Sequence, residues 1–283
     1  MSFKSIILLS CSLVLPVIAQ STTPPTLELL WHTKDLRIPE SVLFGTDATA
    51  QTLFVSEIDG QSTAADGQGG IALLNPDGSI RQHNWLRGLN APKGLASFQG
   101  KLYVADLTEL VVIDIKTAKV LEKISAPDSV FLNDVAVDPQ GTVYISDTRK
   151  NRLYRLQQNK LSPWLENVEA ANGLTFVGDQ LYIAAGDKLL KAGATGDLTV
   201  VAQGFAERAD GVEPVGNGDF IVSCWAGLVY YVHANGKLDL LLDNRPAKLN
   251  TADIGWDSAK QILYVPTFLG NSVQAYQLKY PKS

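Results

Sequence analysis

Six short segments of this sequence place charged or amide side chains just ahead of a run of alternating apolar residues. They read PES (39–41), PKG (92–94), ND (133–134), NG (172–173), DG (210–211) and AD (252–253). Their acids are Glu40, Asp134, Asp210 and Asp253, their amides Asn133 and Asn172, and their one cation is Lys93. Carboxylates held close together raise one another's pKa and resist ionisation unless a cation sits among them. An oxygen-only donor set without histidine or cysteine suits a hard divalent ion such as Ca²⁺ better than zinc or copper. Lys93 offsets part of the remaining negative charge. Taken singly, Asp and Asn are ordinary turn residues, so the case rests on their repetition; Glu40, directly after Pro39, has less reason to be in a turn. Asp77, Asp138 and Asp147 fall outside this spacing and read as turn acids. His32, His83 and His233 also lie outside it, so no histidine base is expected.

What must position these residues is a repeat. LFVS (53–56), LYVAD (102–106), VYISD (143–147), LYIAA (181–185), FIVS (220–223) and LYVP (263–266) share an aromatic or aliphatic second residue, namely Phe54, Tyr103, Tyr144, Tyr182, Ile221 and Tyr264. Units of about 40 residues built from short alternating strands match the blade period of a β-propeller. The prediction is an all-β, six-bladed propeller with four antiparallel strands per blade. In the third unit the strands read LNDVAV, TVYISD, RLYRL and LSPWLE, separated by DPQG and TRKN turns. Counting back from the second residues, Lys93, Asp134 and Asn172 stand ten before, Asp210 and Asp253 eleven before, and Glu40 fourteen before. All six open the innermost strand of a blade, so they are expected to converge at the mouth of a central channel. An open edge strand invites aggregation, and LELLWHT (27–33) is expected to pair into the last blade and close the ring.

Length and composition bound the rest. At 283 residues the chain fits one large all-β domain. Residues 1–19, with Lys4, an apolar stretch from Ile6 to Ile18 and Val17 and Ala19 before the cleavage point, read as a secretory signal, leaving 20–283 as the propeller. A lipoprotein signal ending at Cys11 is the rival reading, but its apolar core would be only Ile6–Leu9. A periplasmic or secreted location follows. No later stretch approaches the ~20 apolar residues of a membrane span. The formal net charge is −5, one unit more negative once Lys4 is lost, which argues against nucleic acid or anionic lipid as partner. Cys224 alone remains after cleavage, so no internal disulfide is available.

These motifs resemble the senescence marker protein/gluconolactonase group, the regucalcin-like six-bladed propellers, with more distant similarity to paraoxonases. LNDVAVDPQG is similar to the group's Asn-Asp-Gly segment and Asp-Pro turn, ANGLTF to its Asn-Gly-Leu segment, and ADGVEPVGNGDFIVSCWAG to its Asp-Gly segment leading into a strand and aromatic loop. IPESVLF sits where the group places its metal-binding glutamate. The resemblance implies Glu40, Asn172 and Asp210 as metal ligands, Asn133 on the substrate side of the ion, and Asp210 as a base. It therefore favours Asn133 as the inward residue, whereas register counting picks Asp134; alternation along a strand puts neighbours on opposite faces. Two departures count against gluconolactone itself: Phe131 stands where sugar-lactone members carry arginine, and Lys93 adds a cation.

The implied activity is divalent-metal-dependent hydrolysis of a lactone or related ester. Asp210 takes the proton of the attacking water, and Asn133 and Lys93 stabilise the oxyanion. Loops between second and third strands are expected to bring Trp225, Phe268, Arg149 and, from the inserted segment Glu57–Gly70, Glu57 and Asp59 around the substrate. Asp134 and Asp253 join the substrate-side set by register. Two rivals remain: a non-catalytic propeller that binds a small ligand or protein around a structural calcium, and a lyase-type or synthase propeller, for which the three histidines sit poorly.

Overall fold

The computed structural model describes residues 23–45, 51–193 and 195–281; the signal segment expected over 1–19 lies outside them. The described chain forms six four-stranded antiparallel sheets, and the only helical pieces among the described residues are the 3₁₀ turns Arg245–Ala247 and Phe268–Gly270. The inner strands are Pro39–Gly45, Pro92–Phe98, Leu132–Val137, Ala171–Val177, Ala209–Gly216 and Gly255–Asp257. In the third blade the other strands are Val143–Asp147, Arg152–Gln157 and Lys160–Glu166, as the turn signals predict. The ring closes as expected: Thr26–Thr33 pairs antiparallel with Val273–Lys279 and forms the outermost strand of the sixth blade.

The repeated second residue is explained by blade-to-blade packing. The buried apolar side chains fall into six clusters, each spanning two adjacent blades. Phe54, Tyr103, Tyr144, Ile221 and Tyr264 each lie in the cluster shared with the following blade, and Tyr182 packs against it from the edge. Residues on either side of them, such as Leu53 and Val55, face the preceding blade. Because both faces of every blade are covered, both strand faces are apolar, and the core is distributed between blades rather than gathered at the centre. The axis is thereby left to polar side chains.

At that axis five of the six inner strands depart from simple alternation. In the third blade Leu132 pairs with Asp147 and Val135 with Ile145, so Asn133 and Asp134 together oppose Ser146 alone. The same two-against-one β-bulge occurs in blades one, two, four and five. The extra residue breaks simple alternation at Asn133 and Asp134: Asn133 lines the cavity at the channel mouth, as the resemblance favours, while Asp134 accepts from backbone N–H groups of its own and the next blade. In register, the upper tier is Glu40, Lys93, Asn133, Asn172 and Asp210 and the lower is Ser41, Gly94, Asp134, Gly173 and Gly211; a parallel bridge from Ser41 to Asp253 sets Asp253 in the lower tier and Ala252 in the upper.

Candidate functional site

The upper tier opens into a cavity of about 290 Å³ lined by Glu40, Lys93, Asn133, Asn172 and Asp210, with Ser62, Phe131, Trp225 and Phe268 above them. Asn172 Nδ2 donates to Asp210 Oδ1 at 2.8 Å, which leaves the Asn172 amide oxygen free. Asn133 Nδ2 donates to Thr148 Oγ1 at 2.9 Å, and that hydroxyl passes its own proton to Ala171 O at 2.7 Å, so the Asn133 oxygen is likewise free. Glu40 Oε2 is buried without any hydrogen-bond partner. An orphaned carboxylate oxygen in a buried site costs free energy unless something cationic reaches it. Four oxygen-bearing side chains thus present unspent acceptor capacity to one small cavity.

The electrostatics agree. Burial, reinforced by Asp210, holds the Glu40 carboxyl well above the usual carboxylate range, although Lys93 draws it down. Burial and the nearby Asp253 push Asp210 up to about 8 against the bond from Asn172. Lys93 is only 1% exposed; its ammonium donates to Ala91 O at 2.9 Å and Ser62 O at 3.3 Å and sits 4.4 Å from the Phe131 ring centroid. Burial lowers its pKa, opposed by Glu40 and Asp106. The donor chemistry suits a hard divalent cation: two carboxylates and two amide oxygens. Among the described residues no three or more His, Cys, Asp or Glu side chains form a ready metal cluster, so any such ion must take amide oxygens as well.

Asp134 and Asp253 do not line this cavity. Asp134 accepts from Val135 N at 2.7 Å and from Leu174 N of the next blade at 2.6 Å, while its other neighbour is Gly94 of the preceding blade. Asp253 accepts from Ser41 Oγ of the first blade at 2.5 Å and abuts Gly211 of the fifth. Each therefore ties together the inner strands of three blades. The structure also replaces the expectation for the inserted segment. Glu57 is fully buried and accepts from the Arg37 backbone and guanidinium at 2.8 Å each, and Asp59 pairs with Arg87 at 2.6 Å. Ser62 of the same segment reaches the cavity instead, and nothing in its Ser/Gly-rich surroundings marks it out. Trp225 and Phe268 do meet over the cavity, in an edge-to-face pair with centroids 5.5 Å apart. Phe131 lines the wall beneath Arg149.

The histidines lie elsewhere: His32 bonds Ser272 on the sixth blade, His83 is on the outer strand Ile80–Leu89, and His233 bonds Asp239. Asp77 and Asp138 accept from backbone N–H groups two residues on, and Asp147 from four loop N–H groups, consistent with turn roles. No described helix is long and apolar enough to cross a membrane.

Fold and site together define a six-bladed β-propeller with an oxygen-rich pocket at one mouth of its channel. The chain belongs to the SMP-30/gluconolactonase/LRE-like family, whose model matches residues 40–188. That family is generally divalent-metal dependent. Similar solved structures include a protein assigned as a gluconolactonase, 16% identical with TM-score 0.64 over 90% of this chain and 92% of that one. A luciferin-regenerating enzyme is 14% identical with TM-score 0.63 over 92% and 98%. A catalytically inactive virginiamycin B lyase from Staphylococcus aureus, solved with quinupristin, is 13% identical with TM-score 0.61 over 90% and 99%. At these identities the likeness concerns the fold. No curated protein is matched.

Proposed function

We propose that this protein is an exported, divalent-metal-dependent hydrolase of a lactone or related ester, with calcium the leading candidate ion. The observation that carries the reading is the convergence of Glu40, Asn133, Asn172 and Asp210 on one cavity, with the Glu40 Oε2 buried and unpartnered. Family membership supports a lactonase-like activity, and the export of the chain rests on residues 1–19. Glu40, Asn172 and Asp210 would hold the ion, and a bound divalent ion there supplies Lewis-acid polarisation of a carbonyl and a water of lowered pKa.

The chain's own groups do the rest. Asp210 keeps Oδ1 occupied by Asn172 and leaves Oδ2 to accept a proton from water. Asn133, fixed through Thr148, and the Lys93 ammonium stand where negative charge develops on the substrate oxygen. Trp225 and Phe268 offer ring surface to the apolar part of the substrate. A lyase reading gains no support, because no histidine lines the cavity.

The test is metal analysis of the purified protein followed by a panel of lactones and aryl esters with and without chelator. Chelator-sensitive turnover restored by calcium is expected. Tightly held metal with no chelator-sensitive turnover on any ester would reject the hydrolase and favour a binding propeller with a structural ion.

A further inference from the structure

The candidate cavity does not stand alone on its face. A hollow of about 380 Å³ shares Asn172 and Trp225 with it and runs past Thr148 and Ala170 to Arg208. A second, of about 430 Å³, shares Phe131 and runs past Thr148 and Arg149 to the same Arg208. Arg149 lies 4.3 Å from the Phe131 centroid, and Lys93 lies 4.4 Å from the same centroid, so both cations share one ring. Among the described residues neither Arg149 nor Arg208 makes an ion pair or a side-chain hydrogen bond, whereas Arg37, Arg87, Arg152 and Arg245 are all paired with acids. Both arginines are exposed. On a chain of net charge −5, two guanidinium groups without ion-pair partners stand beside connected hollows that also hold Glu169 and Glu207, so their donors are free to meet an anion.

We propose that Arg149 and Arg208 form an anion-recognising subsite, so that the substrate carries a carboxylate set a few bonds away from the ester to be cleaved; the second half of this rests on the hydrolase reading above. Guanidinium presents a planar fork of donors that matches a carboxylate in two-bond geometry. Glu169 lines the Arg149 hollow and Glu207 the other. Their charges limit how much negative charge the subsite accepts, which favours a monoanionic carboxylate over a phosphate dianion.

The experiment compares two γ-lactones that differ only in a ring carboxylate versus a carboxamide, using the purified calcium-loaded protein and its Arg149→Gln and Arg208→Gln variants. The carboxylate is expected to be favoured in kcat/KM by about tenfold or more, chiefly through KM, and each variant to cut that ratio by about tenfold. Added salt should shrink the preference. The matching lactam carboxylate and carboxamide, which are not hydrolysed as lactones are, are titrated by calorimetry on the same three proteins. Arginine-dependent preference for the lactam carboxylate without turnover of either lactone keeps the subsite and overturns the hydrolase. Equal binding of the two lactams by the unaltered protein, or a preference that survives both substitutions, overturns the subsite whatever the turnover. A lactam phosphonate that binds more tightly than the carboxylate overturns the choice of a monoanion.

Discussion

Asp210 has two separable duties in the proposed site, one as an oxygen donor to the ion and one as proton acceptor. Asp210→Asn keeps the volume and an oxygen but removes the basic charge, so turnover is expected to fall by about 10²–10⁴ while calcium is still bound, more weakly. Metal analysis beside steady-state kinetics checks this; loss of the ion along with activity would reduce Asp210 to a ligand. Lys93 makes the opposite case. Its ammonium is 1% exposed and shares the cavity with Glu40 and Asp210, so it opposes a divalent ion by Coulomb repulsion. Lys93→Met should tighten calcium binding by about tenfold in a chelator-competition titration, yet slow turnover if the ammonium stabilises the oxyanion. Unchanged affinity would mean that the charge is spent on Ala91 O and Ser62 O. The residue types at the channel mouth were legible in the sequence because they recur ten to fourteen residues before a repeated aromatic or aliphatic marker. Which of two adjacent residues faces the cavity was not legible from that spacing, whereas the family resemblance favoured Asn133, the one that lines it. Counting from the marker puts Asp134 with Lys93 and Asn172 and Asp253 with Asp210, and only the pairing register and the Ser41–Asp253 bridge show that both stand one tier lower.

At the scale of the strand, the bulge is what makes a site out of a sheet. An extra residue leaves one backbone N–H without a ladder partner, and three blades satisfy it with a serine from the second strand. Ser56 Oγ accepts from Ser41 N, Ser146 Oγ from Asp134 N and Ser223 Oγ from Gly211 N, each at 2.9 Å. These are the serines of LFVS, VYISD and FIVS, so the sequence carried the signal without revealing its purpose. Ser146→Ala should cost about 1–3 kcal/mol in urea denaturation, the penalty of a buried donor left unpaired. A loss of only a few tenths would mean that water reaches Asp134 N. The lower tier also needs glycine for close approach. A Cβ on Gly211 would stand 2.6 Å from Asp253 Oδ1, and one on Gly173 would run into the carbonyl oxygen of Asp210. Gly173→Ala should therefore destabilise the fold by about 1–3 kcal/mol and also weaken calcium binding, because the clash displaces the Asp210 backbone. Stability loss with unaltered calcium affinity would show that the two tiers move independently. The glycines of the NG and DG dipeptides are places where neighbouring inner strands touch.

For the whole molecule, a ring of six blades concentrates acids on one axis, and its stability must depend on what neutralises them. Burial lifts Asp253 to about 7 and Asp210 to about 8, and Asp134 and the half-buried Glu213 also rise well above the carboxylate range. A folded-state pKa above the unfolded value means that the folded chain binds more protons than the unfolded one between those two values. The stability linked to these groups is present in full below the unfolded pKa, near 4, and is lost as pH rises through about 7 for Asp253 and about 8 for Asp210. Without metal, the melting temperature should then decline from pH 5 to pH 9 instead of showing a plateau across neutrality. A cation that binds only the folded, deprotonated site reverses part of this slope, since its stabilisation grows with the fraction of Glu40 and Asp210 it finds ionised. Asp253 is bonded to Ser41 below the cavity and is not among the proposed ligands, so its share of the decline should persist in calcium. Thermal melts in chelator and in millimolar calcium, taken at pH 5, 7 and 9, separate these contributions. The calcium-dependent increment should be smallest at pH 5 and largest at pH 9. An increment that is the same at all three would mean that the ion binds away from the channel acids, and would move the proposed site off the propeller axis.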